Sequence, residues 1–461
     1  MSGVAEHSLT LAFGGGALLG SVAVFFAVAR YSWRSVRHVK AERARRQGLY
    51  ERQLAEVAER EQEAACSWSG YRKFQIVGRE AEDDRGAMVS LYLTPFRHGE
   101  EGQPERLPRF RPGQYVQIRA DIPGQANLLT RCYSISQAYA PDTYRITVAR
   151  APGGADPVTG ERHPPGVVSN FLFEGGRVRS VLELTVPQGD FWVDMSRSEP
   201  VVLVGWGIHT APLLCMFEAL AREGRREVWL FVEVGSEPGM FRHALAPLKE
   251  LAQANRDQLN IVISSFFGSA SEEGPPLPQD PFSELGDHGN TLQVRQSFAM
   301  GGVSNREGRQ GFTWIKRALP AHYKATASFY VSAPALALRE AKHDLEAWGV
   351  PEESVHFEVF DRASLDAISE VEEDTGSSQV SFETSGVEAA WDPSARTLLG
   401  LAADHKVRIP STCKIGKCGE CEVALSSGKV RYVNEPDWKV KPGHCLPCVC
   451  VPASSNVVVR A

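Results

Sequence analysis

Cys413-Lys-Ile-Gly416-Lys-Cys418-Gly419-Glu-Cys421 decides the reading of this chain, together with Cys445-Leu-Pro-Cys448-Val-Cys450-Val-Pro452 further along. The C-x4-C-x2-C spacing with a later cysteine is that of a loop wrapped around a 2Fe-2S cluster. Four thiolates must converge on two irons, and Gly416 and Gly419 let the backbone close on inorganic sulfide where a Cβ would crowd it. Zinc is the competing reading, because Cys418-x2-Cys421 and Cys445-x2-Cys448 are also two CxxC pairs. A zinc ribbon has no use for Cys413. Spacing alone leaves the last thiolate open among Cys445, Cys448 and Cys450.

Ahead of the loop stand Thr397-Leu398-Leu399 and Ile409-Pro410-Ser411, and behind it Cys448-Val-Cys-Val-Pro452. This frame resembles plant-type ferredoxins. The resemblance implies a β-grasp domain over 380–461, with Cys413, Cys418, Cys421 and Cys448 as the iron ligands. Cys448 is selected by the proline that follows it in the family's pattern.

With 461 residues the chain has room for about three domains of ordinary size. Its 43% of hydrophobic residues is normal for a folded protein, and a formal charge of −6, small for this length, gives no suggestion of a nucleic-acid partner. Six of the nine cysteines lie in the cluster segment, which argues against a disulfide framework and for a reducing compartment.

Leu9 to Ala29 is free of charges and long enough to cross roughly 30 Å of hydrocarbon as one helix. A cleaved signal peptide would begin with positive charge, whereas Glu6 precedes this run and no Lys or Arg does. Arg30, Arg34, Arg37, Lys40, Arg43, Arg45 and Arg46 follow it, so the positive-inside rule predicts a single-pass anchor with the globular domains in the cytoplasm. Gly16 and Gly20 form a GxxxG pair that would allow a homodimer through this helix. The predicted order is a transmembrane anchor with basic flank (1–34), a charged helical stalk (35–66), an antiparallel β-barrel (67–197), a doubly wound α/β domain (198–361), a linker (362–379) and the 380–461 domain. Short alternating runs such as Gln114 to Ile118 and Tyr144 to Val148 carry the barrel reading, and the strand–helix–strand rhythm after Pro200 carries the α/β reading. Gly268 to Gly311 reads as a long polar loop.

Arg131-Cys132-Tyr133-Ser134, with Pro112-Gly-Gln-Tyr115 before it and Gly166-Val167-Val168-Ser169 after it, resembles the flavin domain of the ferredoxin-reductase superfamily. The resemblance implies FAD, with FMN as the alternative: Arg131 against phosphate, Cys132 and Tyr133 along the flavin, and Ser134 at its reactive N5 edge. Gly166, Val167, Val168 and Ser169 would open a helix toward the pyrophosphate. The same superfamily implies an NAD(P)H site at Gly205, Gly207, Thr210 and Pro212, with Ser332 where relatives set a cysteine against the nicotinamide. Here the glycine-rich turn reads Gly205-Trp206-Gly207-Ile208-His209-Thr210-Ala211-Pro212, the second strand ends in Glu233-Val234-Gly235 without the usual Arg, and Ser332-Ala333-Pro334 replaces Cys-Gly-Pro. A Trp in a phosphate-binding turn puts a large ring where glycine admits a ligand. His209 could be a proton donor or merely a solvated turn residue. The expected function is electron transfer from NAD(P)H or another donor through FAD and the cluster to a partner oxygenase, desaturase or similar acceptor. The alternative is a relay or docking subunit that has lost direct NAD(P)H oxidation.

Overall fold

The computed structural model describes residues 66–84, 86–96, 106–125, 128–155, 162–233, 241–255, 258–264, 313–361, 364–365, 368 and 378–461, with Arg30, Arg45, Gln47 and Tyr50. The chain divides into two units, Met1–Cys66 and Ser67–Ala461. In the first, the described positions are helical. The expected anchor Leu9 to Ala29, residue Gly235 and the loop 268–311 lie outside the described residues, as do most of the stalk and the linker. Among the described residues no helix is long and apolar enough to cross a membrane.

The second unit opens with β1 (Arg72–Ala81), β2 (Met88–Pro95), β3 (Tyr115–Ala120), β4 (Leu129–Ser134) and β5 (Tyr144–Ala149). A two-residue ribbon of β6 (Gly154–Ala155) and β7 (Arg162–His163), helix α1 (Val167–Gly175) and β8 (Val181–Leu184) follow. The larger strands form an antiparallel sheet in the order β4-β3-β8-β1-β2-β5. A bridge between Ile135 and Ile146 joins the end of β4 to β5, so the two edges meet as in a barrel. Phe74 and Ile76, two apart on β1, are fully buried with Leu91, Leu93, Val116, Ile118 and Tyr144, which is the period of a strand with one face on a core.

A parallel sheet comes next, ordered β11-β10-β9-β12-β13 from β9 (Val201–Trp206), β10 (Val228–Glu233), β11 (Leu259–Ser264), β12 (Ser328–Ser332) and β13 (Val355–Phe357). Both faces are covered, as the unbroken apolar run Val201–Val204 requires. Val201 and Leu203 pack toward α2 (Ala211–Glu223) and α3 (Arg242–Ala254). Val202 and Val204 pack on the other face, with Ile315 of α4 (Thr313–Ala318), Tyr323 of α5 (Tyr323–Thr326) and Leu338 of α6 (Ala335–Trp348). The order reverses between β9 and β12, and the crevice at their carboxyl ends is where such sheets bind ligands. That crevice lies at Gly205–Thr210 and Ser332.

The last sheet, β15-β14-β20-β16-β18, is built from β14 (Gln379–Phe382), β15 (Val387–Ala390), β16 (Val423–Ser427), β18 (His444–Cys445) and β20 (Asn456–Val459). Between them, β17 (Val430–Tyr432) pairs with β19 (Cys450–Pro452). β14 and β20 are parallel, and α7 (Leu398–Asp404) packs Leu398 and Leu401 into the same core. The Thr397 hydroxyl caps α7 by accepting from the Gly400 amide at 3.2 Å. A helix laid on a mixed sheet of this kind is a β-grasp arrangement.

Candidate functional site

The cysteine loop folds around two close thiol pairs. Cys413 Sγ accepts from the Cys418 amide at 3.3 Å. The Cys418 thiol also donates to Cys413, and the Ile415 and Lys417 amides point at it, so the Cys413 thiol is brought down to about 5. Cys421 is likewise lowered by the Cys448 thiol, which is itself raised. Among the described residues no group of three or more His, Cys, Asp or Glu side chains gathers about one point. Two pairs are the geometry that two irons ask for, one pair per iron, and amides aimed at sulfur stabilise thiolate.

The loop's glycines are required by backbone conformation and by packing. Gly416 and Gly419 have φ of 77° and 71°, and a Cβ on Gly419 would lie 2.1 Å from the Trp438 ring. Cys445 and Cys450 are fully buried as a separate pair, the Cys450 thiol raised by its hydrogen bond with Cys445 and by burial.

This loop is held directly against β3. Gln117 Nε2 donates to the Lys417 carbonyl at 2.8 Å and the Tyr115 hydroxyl donates to it at 3.4 Å. The Lys417 ammonium turns inward, 2.7 Å from Glu358 just past β13 and 4.0 Å from Asp437. Burial alone would lower this ammonium, but the Glu358 and Asp437 carboxylates override it and hold Lys417 above its ordinary value. Burial pushes Glu358 up against the pull of Lys417. It pushes Asp437 up to about 7, with Asp190 adding to the rise. Residues from all three sheets' surroundings therefore converge on one buried ion cluster. Sequence reading missed Gln117, Lys417, Glu358 and Asp437. The one local signal was Gln117, a polar residue fully buried in the middle of β3.

On β4, beside β3, the expected flavin residues are brought together. Tyr133 OH lies 3.4 Å from Ser169 Oγ, which ties β4 to the first turn of α1. Burial pushes the Tyr133 phenol up to about 12. Gly166 precedes α1 so closely against Ala151 that a Cβ would come within 2.7 Å of that methyl. Asn170 fixes the approach through paired hydrogen bonds of 2.8 Å to the Ala151 backbone. The first amides of α1 have no intrahelical partner, which suits a pyrophosphate. Val168 belongs to the barrel core, Val167 is exposed, and Ser134 is buried opposite Tyr115. Arg131 is exposed and acts on Glu420 of the cysteine loop. Cys132 sits near Lys417 and Cys413, and burial raises its thiol to about 12. Thus β4 meets the flavin motif and the cysteine loop at once.

At the crevice of the parallel sheet, Gly207 has φ of 52° and opens a 3₁₀ turn, Gly207–Thr210, that leads into α2 with Pro212 in its first turn. Gly205 is needed there, because a Cβ would meet Thr210 Oγ1 at 2.5 Å. Trp206 packs its ring against the core shared with Val202 and Val204, so its bulk is partly absorbed by the fold. His209 stacks edge-on to Phe360 at 4.8 Å, and Ser332 Oγ donates to the His209 carbonyl at 2.6 Å. Burial lowers the His209 imidazole to about 4, so it is neutral at pH 7. His209 Nδ1 and Thr210 Oγ1 are buried with no hydrogen-bond partner among the described residues.

Residues 381–453 match the family described as 2Fe-2S iron-sulfur cluster binding domain. The flavohemoprotein of Halalkalibacterium halodurans is 29% identical over 298 residues, covering 65% of this chain and 62% of that protein. The flavohemoprotein of Chromobacterium violaceum is 30% identical over 296 residues, covering 64% and 61%. This chain thus spans about six-tenths of the length of these curated relatives. Among solved structures, phthalate dioxygenase reductase, described as a modular structure for electron transfer from pyridine nucleotides to [2Fe-2S], is 20% identical. It covers 85% of this chain and 98% of its own, with a TM-score of 0.44. Residues 381–453 of this chain are thus similar to a 2Fe-2S iron-sulfur cluster binding domain, and 65% of the chain is similar to part of a flavohemoprotein.

Proposed function

We propose that the chain passes electrons from NAD(P)H or another donor through FAD to the 2Fe-2S cluster, and on to a partner oxygenase, desaturase or similar acceptor. The observation that carries this reading is the clamp of Gln117 on the Lys417 carbonyl at 2.8 Å. It sets the cysteine loop against the strand next to Arg131–Ser134. FAD would supply the exchange between paired and single electrons, and the cluster single-electron carriage. In this reading Cys413 with Cys418 and Cys421 with Cys448 hold the irons. Arg131, Tyr133 and the start of α1 at Gly166–Ser169 hold the flavin, and buried Ser134 faces its reactive edge. Cys132 packs between flavin strand and cysteine loop. Gly205, Gly207, Thr210 and Pro212 shape the turn for a dinucleotide, with Ser332 beside it.

A second reading, a relay or docking subunit without direct NAD(P)H oxidation, is favoured by one contact. The Ser332 hydroxyl is engaged by the His209 carbonyl, and the His209 ring lies on Phe360, within the crevice a nicotinamide would enter. Anaerobic mixing with NADH and with NADPH, followed at the flavin absorption, separates the two. Rapid, saturable bleaching supports the first reading. Slow or absent bleaching, with dithionite still reducing both centres, supports the second. In both, the charge-free run Leu9 to Ala29 anchors the chain and its arginine flank keeps the globular part cytoplasmic. Recovery of the full chain in the soluble fraction without detergent would remove that part of the proposal. A homodimer through Gly16 and Gly20 belongs to the same proposal.

A further inference from the structure

At Lys417 the cysteine loop is held against the barrel, and Cys448 of the ligand set lines a groove. The groove holds ≈ 740 Å³ and is lined by Thr397, Leu399, Arg408, Lys414 and Cys448, with Arg396 at its edge. Arg408 and Lys414 are exposed, and no carboxylate is found among the described lining residues. Lys414, next to the half-buried Cys413, and the buried Cys448 both line this groove. Two of the four expected ligand cysteines therefore lie in or beside the groove's lining.

We propose that this groove is the electron exit and that it docks an acidic protein acceptor on Arg408 and Lys414. This deepens the electron-transfer reading and rests on it. The argument is one of placement and charge. An acceptor must come close to a cluster ligand, and this groove has Cys448 in its lining and Cys413 beside its Lys414. Cations beside apolar lining such as Leu399 and Pro410 steer an anionic surface and orient it on contact. Transfer moves one electron and no atom: the cluster is oxidised by one electron and the acceptor's metal is reduced by one.

The test uses the full chain and two haem proteins of opposite surface charge, the acidic soluble domain of cytochrome b5 and the basic cytochrome c. Dissociation constants are measured by surface plasmon resonance at low and high salt, with all proteins oxidised. The acidic probe is expected to bind, to weaken with salt, and to lose about tenfold or more in affinity in Arg408→Glu. The basic probe is expected to gain affinity in that variant. Lys414→Glu should act in the same direction, and Arg408→Glu keeps the test sound if a change beside Cys413 disturbs the loop. Equal binding of both probes to the parent, or unchanged affinities in both variants, would overturn the proposal. The parent's visible absorption and reduced-state electron paramagnetic resonance report separately on the electron-transfer reading. Charge-dependent binding by a chain lacking those signals would leave an acidic docking groove and overturn its role as an electron exit.

Discussion

Lys417 and the cysteines on either side of it have opposite tasks at nearly the same place. Cys413 with Cys418 and Cys421 with Cys448 form two thiol pairs, while Cys445 and Cys450 pair with each other in the core. Changing any of the first four to Ser is expected to abolish the visible absorption of the cluster, since serine is a poorer match for iron in this site than thiolate. Cys445→Ser is expected to keep the absorption with a modest loss of stability, because it replaces a buried thiol by a buried hydroxyl. A colourless Cys445→Ser beside a coloured Cys448→Ser would reassign the fourth ligand. The C-x4-C-x2-C spacing was enough to find the loop, because ligand spacing is a local property of the chain. Spacing left the fourth ligand open among three downstream cysteines, the family resemblance chose Cys448, and in the fold it is Cys448 that pairs with Cys421.

Elements join through charges at their ends as much as through apolar faces. Glu82, fully buried just after β1, accepts from the His243 and Ala244 amides at 3.0 Å each, and its carbonyl accepts from the Arg242 amide at 2.9 Å. A carboxylate at this helix start satisfies orphan amides and complements the helix dipole, and it also fastens the barrel to α3 of the parallel-sheet domain. Glu82→Ala is expected to cost about 2 to 3 kcal/mol, the size of a buried charge-assisted hydrogen-bond pair. Faster hydrogen exchange at Arg242–Ala254 would report it, and unchanged protection there would refute the linking role. Such an acceptor was not legible in the sequence. Residues 160 or more apart meet there, and no periodicity announces it. What was legible at this scale is the alternation Val201/Leu203 against Val202/Val204. It sends side chains to two separate cores and forces helices onto both faces of the sheet.

At the scale of the whole molecule, the barrel, the parallel-sheet domain and the β-grasp domain meet at the buried Lys417 cluster. Tyr115, Gln117 and Asp190 come from the barrel segment, Glu358 from the end of the parallel sheet, and Lys417 and Asp437 from the domain with the cysteine loop. A buried ion pair adds little net stability over a well-packed apolar pair, but removing one partner leaves uncompensated charge and costs about 3 to 5 kcal/mol. Lys417→Met is therefore expected to strand Glu358 against Asp437 and loosen the junction. Hydrogen exchange should rise along Tyr115–Ala120 and near Glu358, with the core of the β-grasp sheet unchanged. Because the Gln117 clamp holds the Lys417 carbonyl rather than its side chain, the thiol pairs should survive, so the cluster's absorption distinguishes a loosened junction from a lost loop. Adding Glu358→Gln to Lys417→Met removes the stranded charge. Burial already pushes Asp437 to about 7, so it can take up a proton near neutral pH once the ammonium is gone. The double variant should then recover more than half of the lost stability, the non-additivity that marks two residues acting as one unit. A Lys417→Met chain with parental exchange along β3 would show instead that apolar packing alone holds the domains together, and that the ion cluster is incidental to where the cysteine loop sits.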